Sequence, residues 1–335
     1  MIYLYTFFIS LVLTLVFTPL VRKFAIKHNF FDNPTNSIKT HKKPIPYLGG
    51  LAISMSFFIT LTIIRFATSF ETGTLRNLRG IFLAGFLILI IGIIDDLRDM
   101  NFKFKFFWQF VAATILIYFD MRIKFIQPTY LAIIFSYLWI IGLINAVNLI
   151  DIMDGLSSGI VFIASMTFFF INSPYEASYV NFAAIAIAGA SLGFLKYNWT
   201  PAKIFMGDAG SMFIGLVIAS ISLGANYSVN NKIGVLTPII ILIVPIYDTF
   251  YIMYKRIRKG RSIFLGSKDH VALRLHINGW SRKQTVVVLY LAGICAGIIS
   301  YLITCVGILN AVMLYLLIVI FSLIIGKKLG EIEVD

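Results

Sequence analysis

Long apolar runs separated by short polar breaks make up most of this chain of 335 residues. The runs lack the strict alternation of apolar and polar positions that is typical of strands in a membrane barrel. A helix rises roughly 1.5 Å per residue and needs about 20 apolar residues to cross a bilayer. The pattern predicts spanning helices at residues 2–21, 48–64, 80–94, 106–119, 129–147, 157–172, 180–195, 209–224, 233–254, 284–304 and 306–326. Because only residues 305–307 divide the last two, we expect ten or eleven spans.

The composition strengthens this prediction. Hydrophobic residues make up 59% of the chain and charged residues 13%, and the mean hydropathy is +0.90. Soluble domains have roughly 45–50% apolar residues and about 25% charged residues. The chain is therefore predicted to be an all-α, polytopic integral membrane protein, with one membrane domain over residues 1–335.

Basic residues are distributed unevenly between the loops. If the N-terminus lies outside, 22 of the 28 Lys and Arg residues fall in the odd-numbered loops and the tail, and six fall in the even-numbered loops. Basic loops are retained on the cytoplasmic side of a membrane. This predicts an external N-terminus and a multi-pass protein of the cytoplasmic (inner) membrane. The positive charge then reflects orientation and contact with membrane lipids, with no nucleic-acid partner.

Acidic residues gather on the same predicted side. Asp95 and Asp96 close the third run, Asp208 opens the eighth, and Asp151 and Asp154 follow the fifth. A solvated helix end or an N-cap would also place acids at such positions. Charges at the edge of a membrane segment are nevertheless often functional, and adjacent carboxylates repel unless a cation compensates them. The pattern favours an active site on the cytoplasmic face.

The polar residues after the fifth run have a regular spacing. Asn145, Asn148 and Asp151 recur every three residues, and Asp154 follows. If the fifth helix continues through them, they form one polar stripe that leads out of the membrane. Amide and carboxylate oxygens are hard ligands suited to Mg²⁺. A helix cap followed by an Asp154-Gly155 turn is the simpler alternative.

The ninth loop is the most basic segment of the chain, with nine Lys and Arg residues between positions 255 and 283. Attraction to anionic lipid would explain such a loop. Alternatively, His270 and Arg274 within it could contact a pyrophosphate. Asp248, inside the ninth run, is an unfavourable buried acid that is either functional or paired locally.

Several motifs match one known family in order and spacing. They are Lys43–Gly50, Asp95-Asp96, Lys105-x-x-x-Gln109, Asn145-x-x-Asn148-x-x-Asp151-x-x-Asp154-Gly155 and the run from Asn198 to Ser211. Over about residues 39–284 the chain resembles the polyprenyl-phosphate N-acetylhexosamine-1-phosphate transferases of glycosyltransferase family 4. The lack of a triple-histidine run makes it more similar to the GlcNAc-1-phosphate branch than to the phospho-MurNAc-pentapeptide branch.

The resemblance implies a Mg²⁺-dependent membrane transferase, with Mn²⁺ as a substitute ion. Such an enzyme moves a HexNAc-1-phosphate from a UDP-sugar donor to undecaprenyl phosphate or a related polyprenyl phosphate, and releases UMP. GlcNAc is the preferred sugar, and the product initiates a cell-envelope glycan. A different UDP-amino-sugar donor is the alternative within the family, and a homodimer is left open.

The resemblance also implies roles for individual residues. Asp208 would be the main Mg²⁺ ligand, with Asn148 or the Asp95-Asp96 pair nearby. The predicted catalytic residues are Asp95, Asp96, Asp151 and Asp154, with Asp95 as a candidate base for the lipid phosphate. The predicted substrate-binding residues are Lys42, Lys43, Lys105, Asn145, Asn198, Phe205, His270 and Arg274.

One departure from the family concerns the ninth loop. The family usually carries paired histidines there, whereas Ala272 and Leu273 stand between His270 and Arg274 in this chain. Because that loop helps to hold the donor in the family, we expect the donor preference to be altered.

Two other classes of membrane protein fit the sequence less well. Asp151-x-x-Asp154-Gly155 opens like the motif of the CDP-alcohol phosphatidyltransferases, but Ser158-Gly159 replace the Ala-Arg pair that should follow, which argues against that class. A secondary transporter would carry its acids near mid-bilayer and would have similar halves. Here the acids lie at one edge of the predicted spans, with Asp248 the exception, and the sequence shows no internal repeat.

Overall fold

In a computed structural model of the chain, nearly all of the regular structure is helical. The structure describes residues 1–33, 43–70, 73–98, 100–174, 179–260, 262, 268–332 and 334. Their helices are α1 (Ile2–Lys27), α2 (Gly49–Ala67), α3 (Thr74–Arg98), α4 (Phe102–Tyr118), α5 (Thr129–Leu149), α6 (Leu156–Asn172), α7 (Tyr179–Asn198), α8 (Gly207–Gly224), α9 (Thr237–Ile241), α10 (Ile243–Arg258), α11 (Val271–Ile277), α12 (Arg282–Cys305) and α13 (Ile308–Gly330). A 3₁₀ helix, Lys232–Leu236, precedes α9, and the short strands β1 (Phe31–Asp32) and β2 (Ile45–Pro46) pair in an antiparallel manner.

Each of the eleven predicted spans coincides with a helix or with a broken pair of helices. Among the described residues, eight helices are long and apolar enough to cross a membrane. α4 and α6 have 17 residues each, about 25 Å at a rise of roughly 1.5 Å per residue. The all-α polytopic fold is confirmed, and the count of ten or eleven crossings stays a prediction.

The predicted ninth span is not one continuous helix. The segment Lys232–Ile241, which includes α9, meets α10 at a bend of 73°. Pro245 lies in the first turn of α10, where a helix tolerates a residue without a backbone N–H. The proline therefore fixes where the second half of this segment begins.

The core of the molecule is formed by α7 and α8. Buried residues make up 83% of the apolar window of α7 but only 6% of that of α13, so α13 lies at the periphery. α1 packs closely on α7, where Ser10 Oγ donates a hydrogen bond to Ala186 O at 2.6 Å. Hydroxyl groups and small residues commonly mediate such contacts, because lipid offers no hydrophobic driving force between helices.

The first turn of α8 lies very close to α2 and α3. Gly50 N donates to Met206 O at 2.8 Å, and a Cβ on Gly50 would lie 2.2 Å from Gly210 Cα. A Cβ on Gly92 of α3 would lie 2.3 Å from Ala209 Cα. Glycine at these two positions lets the N-terminus of α8 reach the C-terminal end of α3, which is where the polar side chains meet.

Candidate active site

Asp208, in the first turn of α8, is the centre of a polar cluster. Lys105 Nζ, from the first turn of α4, donates to Asp208 Oδ2 at 3.0 Å. Asn148 Nδ2, from the last turn of α5, donates to Asp208 Oδ1 at 2.8 Å and to Ser211 Oγ at 2.9 Å. Three residues that are far apart in sequence are thus brought together, as predicted.

Asp95 joins this cluster from the end of α3. Its carboxylate forms an ion pair with Lys105 Nζ, and its Oδ1 accepts a hydrogen bond from Met100 N at 2.8 Å. The side chain of Asp95 is only 2% exposed, whereas that of Asp208 is 34% exposed. Lys105 therefore bridges one buried and one accessible carboxylate, and it compensates the repulsion between them.

Asp96 has a different environment from its neighbour. Its Oδ1 accepts a hydrogen bond from Asp208 N at 2.7 Å, and its Oδ2 accepts one from Ala209 N at 3.2 Å. The carboxylate thus satisfies free N–H groups at the start of α8 and lies at the positive end of that helix. Gly207 has a φ of +76°, and a Cβ there would lie 2.5 Å from Asp96 Oδ2. This geometry favours a positioning role for Asp96 over its predicted catalytic role.

Asn145 lies one turn before Asn148 and pairs with Gln109 of α4. Asn145 Nδ2 donates to Gln109 Oε1 at 2.7 Å and to Ile141 O at 2.7 Å. These bonds join α4 to α5 directly beneath the cluster. The geometry gives Asn145 a supporting position next to the predicted substrate-binding residues.

Of the two alternatives for the residues from Asn145 to Asp154, the structure shows a helix end followed by a turn, and not a continued helix. α5 ends at Leu149, and residues 150–155 form turns. Asp151 N donates to Asn148 O at 3.2 Å, and Gly155 has a φ of +79°, a conformation that glycine adopts without strain. Asp151 and Asp154 therefore lie on a turn beyond the helix.

The two acids of this turn have different surroundings. Burial, together with the negative charges of Asp208 and Asp154, raises the pKa of Asp151 to about 7. Asp154 is buried, and its Oδ2 accepts a hydrogen bond from Ala202 N at 3.0 Å. Asp154 thus connects the turn to the loop before α8. For Asp151, burial and the nearby acids disfavour the charged form.

Asn198 and Phe205 flank the same loop. The buried side chain of Asn198 accepts a hydrogen bond from Gly155 N at 3.0 Å and donates one to Ile204 O at 3.1 Å. Phe205 N donates to Pro46 O at 2.9 Å, and Phe205 O accepts from Gly49 N at 2.9 Å. Asn198 therefore cross-links two loops, and Phe205 joins the loop to the end of β2 and the start of α2.

Of the two adjacent lysines, Lys43 is exposed and lies two residues before β2. Lys42 falls outside the described residues. Pro46 of β2 accepts a hydrogen bond from Phe205 in the loop before α8. Lys43, close to β2 in sequence, therefore lies on the same side of the molecule as the cluster.

His270 and Arg274 belong to a second polar cluster around α11. His270 Nδ1 lies 2.8 Å from Asp248 Oδ2, and Val271 N donates to Asp248 Oδ1 at 2.7 Å. The Arg274 guanidinium is 2% exposed and pairs with Asp269 Oδ1 at 2.6 Å. Burial would raise the pKa of Asp269, but hydrogen bonds from Arg274 and Lys259 outweigh burial and hold it below its usual range. The Arg274 guanidinium is thus bound by protein groups, as is Nδ1 of His270.

Ala272 and Leu273, which stand in place of the histidine pair, are packed in the apolar core. They are 2% and 5% exposed and belong to a buried apolar cluster with Ile150, Met153 and Leu156. This face of α11 packs against the turn that carries Asp151 and Asp154. At these two positions the chain has apolar packing where the family has imidazoles.

The residues around Asp208 suit a hard divalent cation that also contacts substrate. Among the described residues, no group of three or more His, Cys, Asp or Glu side chains is arranged to hold a metal ion by itself. Mg²⁺ usually takes one or two carboxylates and completes its shell with water and phosphate oxygens. The carboxylates of Asp95 and Asp208 and the amide of Asn148 fit that kind of site, and Lys105 already compensates their charge.

Comparison with known proteins places this geometry in a family. The model of glycosyl transferase family 4 matches residues 78–226, the part that carries α3 to α8. A probable undecaprenyl-phosphate N-acetylglucosaminyl 1-phosphate transferase of Bacillus subtilis is 33% identical over 98% of this chain and 92% of its own length. A decaprenyl-phosphate N-acetylglucosaminephosphotransferase of Mycobacterium leprae is 28% identical over 75% of this chain and 71% of its own length.

A phospho-N-acetylmuramoyl-pentapeptide-transferase of Prochlorococcus marinus is also similar, at 31% identity over 80% of both chains. The match to the Bacillus protein is higher in identity and covers more of the chain, which supports the predicted closeness to the GlcNAc-1-phosphate branch. From its family match and its nearly full-length similarity to these transferases, the chain belongs to glycosyl transferase family 4.

Proposed function

We propose that this protein transfers GlcNAc-1-phosphate from UDP-GlcNAc to a polyprenyl phosphate, most simply undecaprenyl phosphate, and releases UMP. The observation that carries the proposal is the bridge that Lys105 forms between Asp95 and Asp208 beside Asn148. The relatives are named for the transfer of such a group to undecaprenyl or decaprenyl phosphate. We also place the protein in the inner membrane with this cluster facing the cytosol, since most basic residues lie on that side.

The charges of the cluster suit a reaction between two anions. A phosphate oxygen of the lipid attacks the β-phosphorus of the donor, and the bond from that phosphorus to the UMP oxygen breaks. Lys105 supplies positive charge where the two phosphates approach, and Asp95 accepts a proton from the lipid phosphate where that phosphate carries one. Fixed charges of this kind lower the barrier because they need no reorganisation.

A divalent cation would be held by Asp208, with Asn148 and Asp95 adjacent. When bound, Mg²⁺, or Mn²⁺ in its place, would neutralise the pyrophosphate and polarise the phosphorus that is attacked. Asp96 keeps the start of α8, and therefore Asp208, in place. Asp151, Asp154 and Asn198 shape the loops on which the nucleotide would rest, and Phe205, half-buried, offers a ring to the base.

The lipid chain has a suitable path. A cavity of about 1190 Å³ runs between α5 and α10, with Leu138, Trp139, Ile246 and Phe250 in its wall. At one end it reaches Ala146, which lies between Asn145 and Asn148, and at the other it reaches Arg122 beyond α4. An apolar groove that extends to the half of α5 that carries Asn145 and Asn148 suits the prenyl tail of such an acceptor.

The experiment is a UMP-release assay on purified protein with undecaprenyl phosphate and a panel of UDP-sugars. We expect Mg²⁺-dependent UMP release that requires both the lipid phosphate and UDP-GlcNAc. UDP-GalNAc and UDP-glucose test the sugar, and UDP-MurNAc-pentapeptide tests the other branch of the family. The proposal is contradicted if the folded protein releases UMP without the lipid phosphate. It is also contradicted if the folded protein releases no UMP with any of these donors.

A further inference from the structure

The helix α11 is too short to be stable by itself. It has seven residues, whereas isolated helices shorter than about 12–15 residues are marginal in water. Its N-terminus is fixed by Asp248 of α10, which accepts hydrogen bonds from Val271 N at 2.7 Å and pairs with His270 at 2.8 Å. The other side of α11 needs a second support.

That support comes from the end of α13 and the residues that follow it. Arg274 Nη1 donates to Leu329 O at 3.0 Å and to Ile332 O at 2.7 Å. Arg274 Nη2 and Nε bind Asp269. The guanidinium is thus nearly buried, and it donates to the Asp269 carboxylate and to the backbone carbonyls of Asp269, Leu329 and Ile332. Removing those carbonyls would leave a buried charge with unpaired donors.

Two lysines of α10 and its C-terminal turn strengthen the same contact. Lys259 Nζ donates to Val334 O at 3.3 Å and to Asp269 Oδ1 at 3.1 Å. Lys255 Nζ lies 3.5 Å from Gly330 O. Residues 329–332 and 334, which we call the latch, are therefore bound by three basic side chains of the ninth loop.

The latch is connected to the candidate site through apolar packing. Leu329 belongs to the same buried cluster as Val271, Ala272 and Leu273 of α11, and as Ile150, Met153 and Leu156. The last three surround Asp151 and Asp154 in sequence. A change in the position of α11 would therefore be transmitted to the turn that carries these two acids.

We propose that the latch is a positioning element that holds α11, and through it the turn of Asp151 and Asp154, in the geometry that binds the nucleotide donor. Arg274 is the positioning residue through which α11 binds the latch. This proposal rests on the proposed function for its kinetic readout, but its structural readout is independent of activity. It gives Arg274 a role toward the protein's own backbone, where the sequence suggested a role toward pyrophosphate.

The test compares the full chain with a chain that ends at Lys328, both purified in the same detergent. We expect the shortened chain to have a KM for the UDP-sugar raised roughly 10-fold, as misplacement away from the chemistry can cause, with the KM for polyprenyl phosphate within about twofold. Hydrogen exchange at residues 268–277 should become faster, while exchange in α7 and α8 stays unchanged. Lys327→Gln, which removes a charge beside the latch without removing a latch carbonyl, is the control and should behave like the full chain.

A second variant covers the case in which the shortened chain does not fold. Arg274→Lys keeps the charge next to Asp269 but lacks the planar fork that reaches Leu329 and Ile332 together. It should show the same rise in donor KM and faster exchange over residues 268–277. Unchanged exchange and unchanged donor KM in Arg274→Lys overturn the proposal, as does an equal loss for both substrates. If the full chain releases no UMP with any donor, the proposed function fails, and the exchange data alone decide whether the latch holds α11.

Discussion

Asp208 differs from the other acids of the cluster because both of its carboxylate oxygens are bound by side chains. Lys105 binds one of its carboxylate oxygens, and Asn148 binds the other. It is also the more accessible of the two carboxylates bridged by Lys105. An acid that is both paired and accessible can exchange its protein partners for a cation and phosphate without unfolding the cluster.

Asp208→Asn should abolish most of the activity and leave the fold intact. The amide keeps the shape of the side chain but removes the charge that opposes Lys105 and would hold Mg²⁺. We expect UMP release to fall by roughly 10²–10³-fold, the usual effect of losing one charge-stabilising group. Asp120→Asn is the matched control, because Asp120 is also an acid paired with basic side chains, Arg122 and Lys124, but lies in the loop between α4 and α5. Activity within about twofold of wild type in Asp208→Asn would contradict the assignment. Asp208 would then contribute no more than an ordinary surface ion pair, about 0–1 kcal/mol.

Asp151 gives the protein a predictable dependence of stability on pH. Its pKa is raised by burial, and further by Asp208 and Asp154, from an ordinary value of 3.8 to about 7. Between these two values the folded state keeps a proton that the unfolded state has lost. The free energy of unfolding contributed by this group therefore falls as the pH rises from 3.8 to about 7, and then stays constant.

The variant Asp151→Asn cannot titrate at this position, so it should gain stability relative to wild type as the pH rises toward 7 and little more above it. The measurement is the Tm of both proteins between pH 5 and pH 8.5, about one unit or more on each side of that pKa, in EDTA so that no bound cation alters the charge. A constant difference in Tm across this range would show that Asp151 is ionised throughout. Asp120→Asn, which changes an acid that is paired and partly exposed, serves as the control for general effects of charge removal.

The start of α8 is the element on which the cluster depends most. Gly50 of α2 and Gly92 of α3 let both helices approach it within contact distance. Asp96 then binds the first free amides of α8. The backbone that presents Asp208 is thus held by two helices and one carboxylate.

Gly50→Ala should therefore destabilise the protein, because its Cβ would lie 2.2 Å from Gly210 Cα and the helices would have to separate. Overpacking of this kind costs roughly 1–3 kcal/mol. Gly142→Ala is the matched control, since a Cβ at Gly142 of α5 meets nothing within 4 Å and should add about 0.5–1 kcal/mol of helix stability. The check is the Tm of each variant. Equal Tm values for the two variants would mean that the contact between α2 and α8 is not tight.

Hydropathy was sufficient to predict the helices, because the bilayer requires each spanning segment to satisfy its own backbone hydrogen bonds. It could not predict the break at Leu242, since the residues on both sides are equally apolar. Nor could it separate Asp95 from Asp96. Adjacent residues on a helix point about 100° apart, so one carboxylate faces Lys105 and the other faces the backbone of α8.

The contacts of Arg274 could not be predicted from the sequence for a different reason. Its partners are the backbone carbonyls of Leu329 and Ile332, which are 55 and 58 positions away and carry no side-chain signal. The sequence left open whether α5 continues beyond its predicted end, because an Asn-Asp spacing of three fits a turn as well as a helix. Side chains that meet across the cluster were found, whereas contacts to backbone were not.

The polar clusters of the described residues lie at one end of the molecule, which we call the active end in keeping with the proposed function. The C-terminal ends of α3 and α5 and the N-terminal ends of α4 and α8 converge there, and the second cluster around α11 packs against the same end. The opposite end carries the turns after α4 and α8, with Asp120, Arg122 and Ser228. Basic loops predict that the active end faces the cytosol, where a UDP-sugar would be available.

Single cysteines at the two ends test this orientation directly. In a background with Cys295→Ala and Cys305→Ala, Lys283→Cys places a thiol at the exposed start of α12, and Ser228→Cys places one in the exposed turn after α8. A thiol reagent that cannot cross membranes should label Ser228→Cys in intact cells or spheroplasts, and should label Lys283→Cys only after the membrane is opened. Detergent-solubilised samples, in which both thiols must react, control for accessibility. The reverse pattern would place the Asp208 cluster outside, where neither the distribution of basic residues nor a cytosolic sugar nucleotide could be reconciled with the proposed reaction.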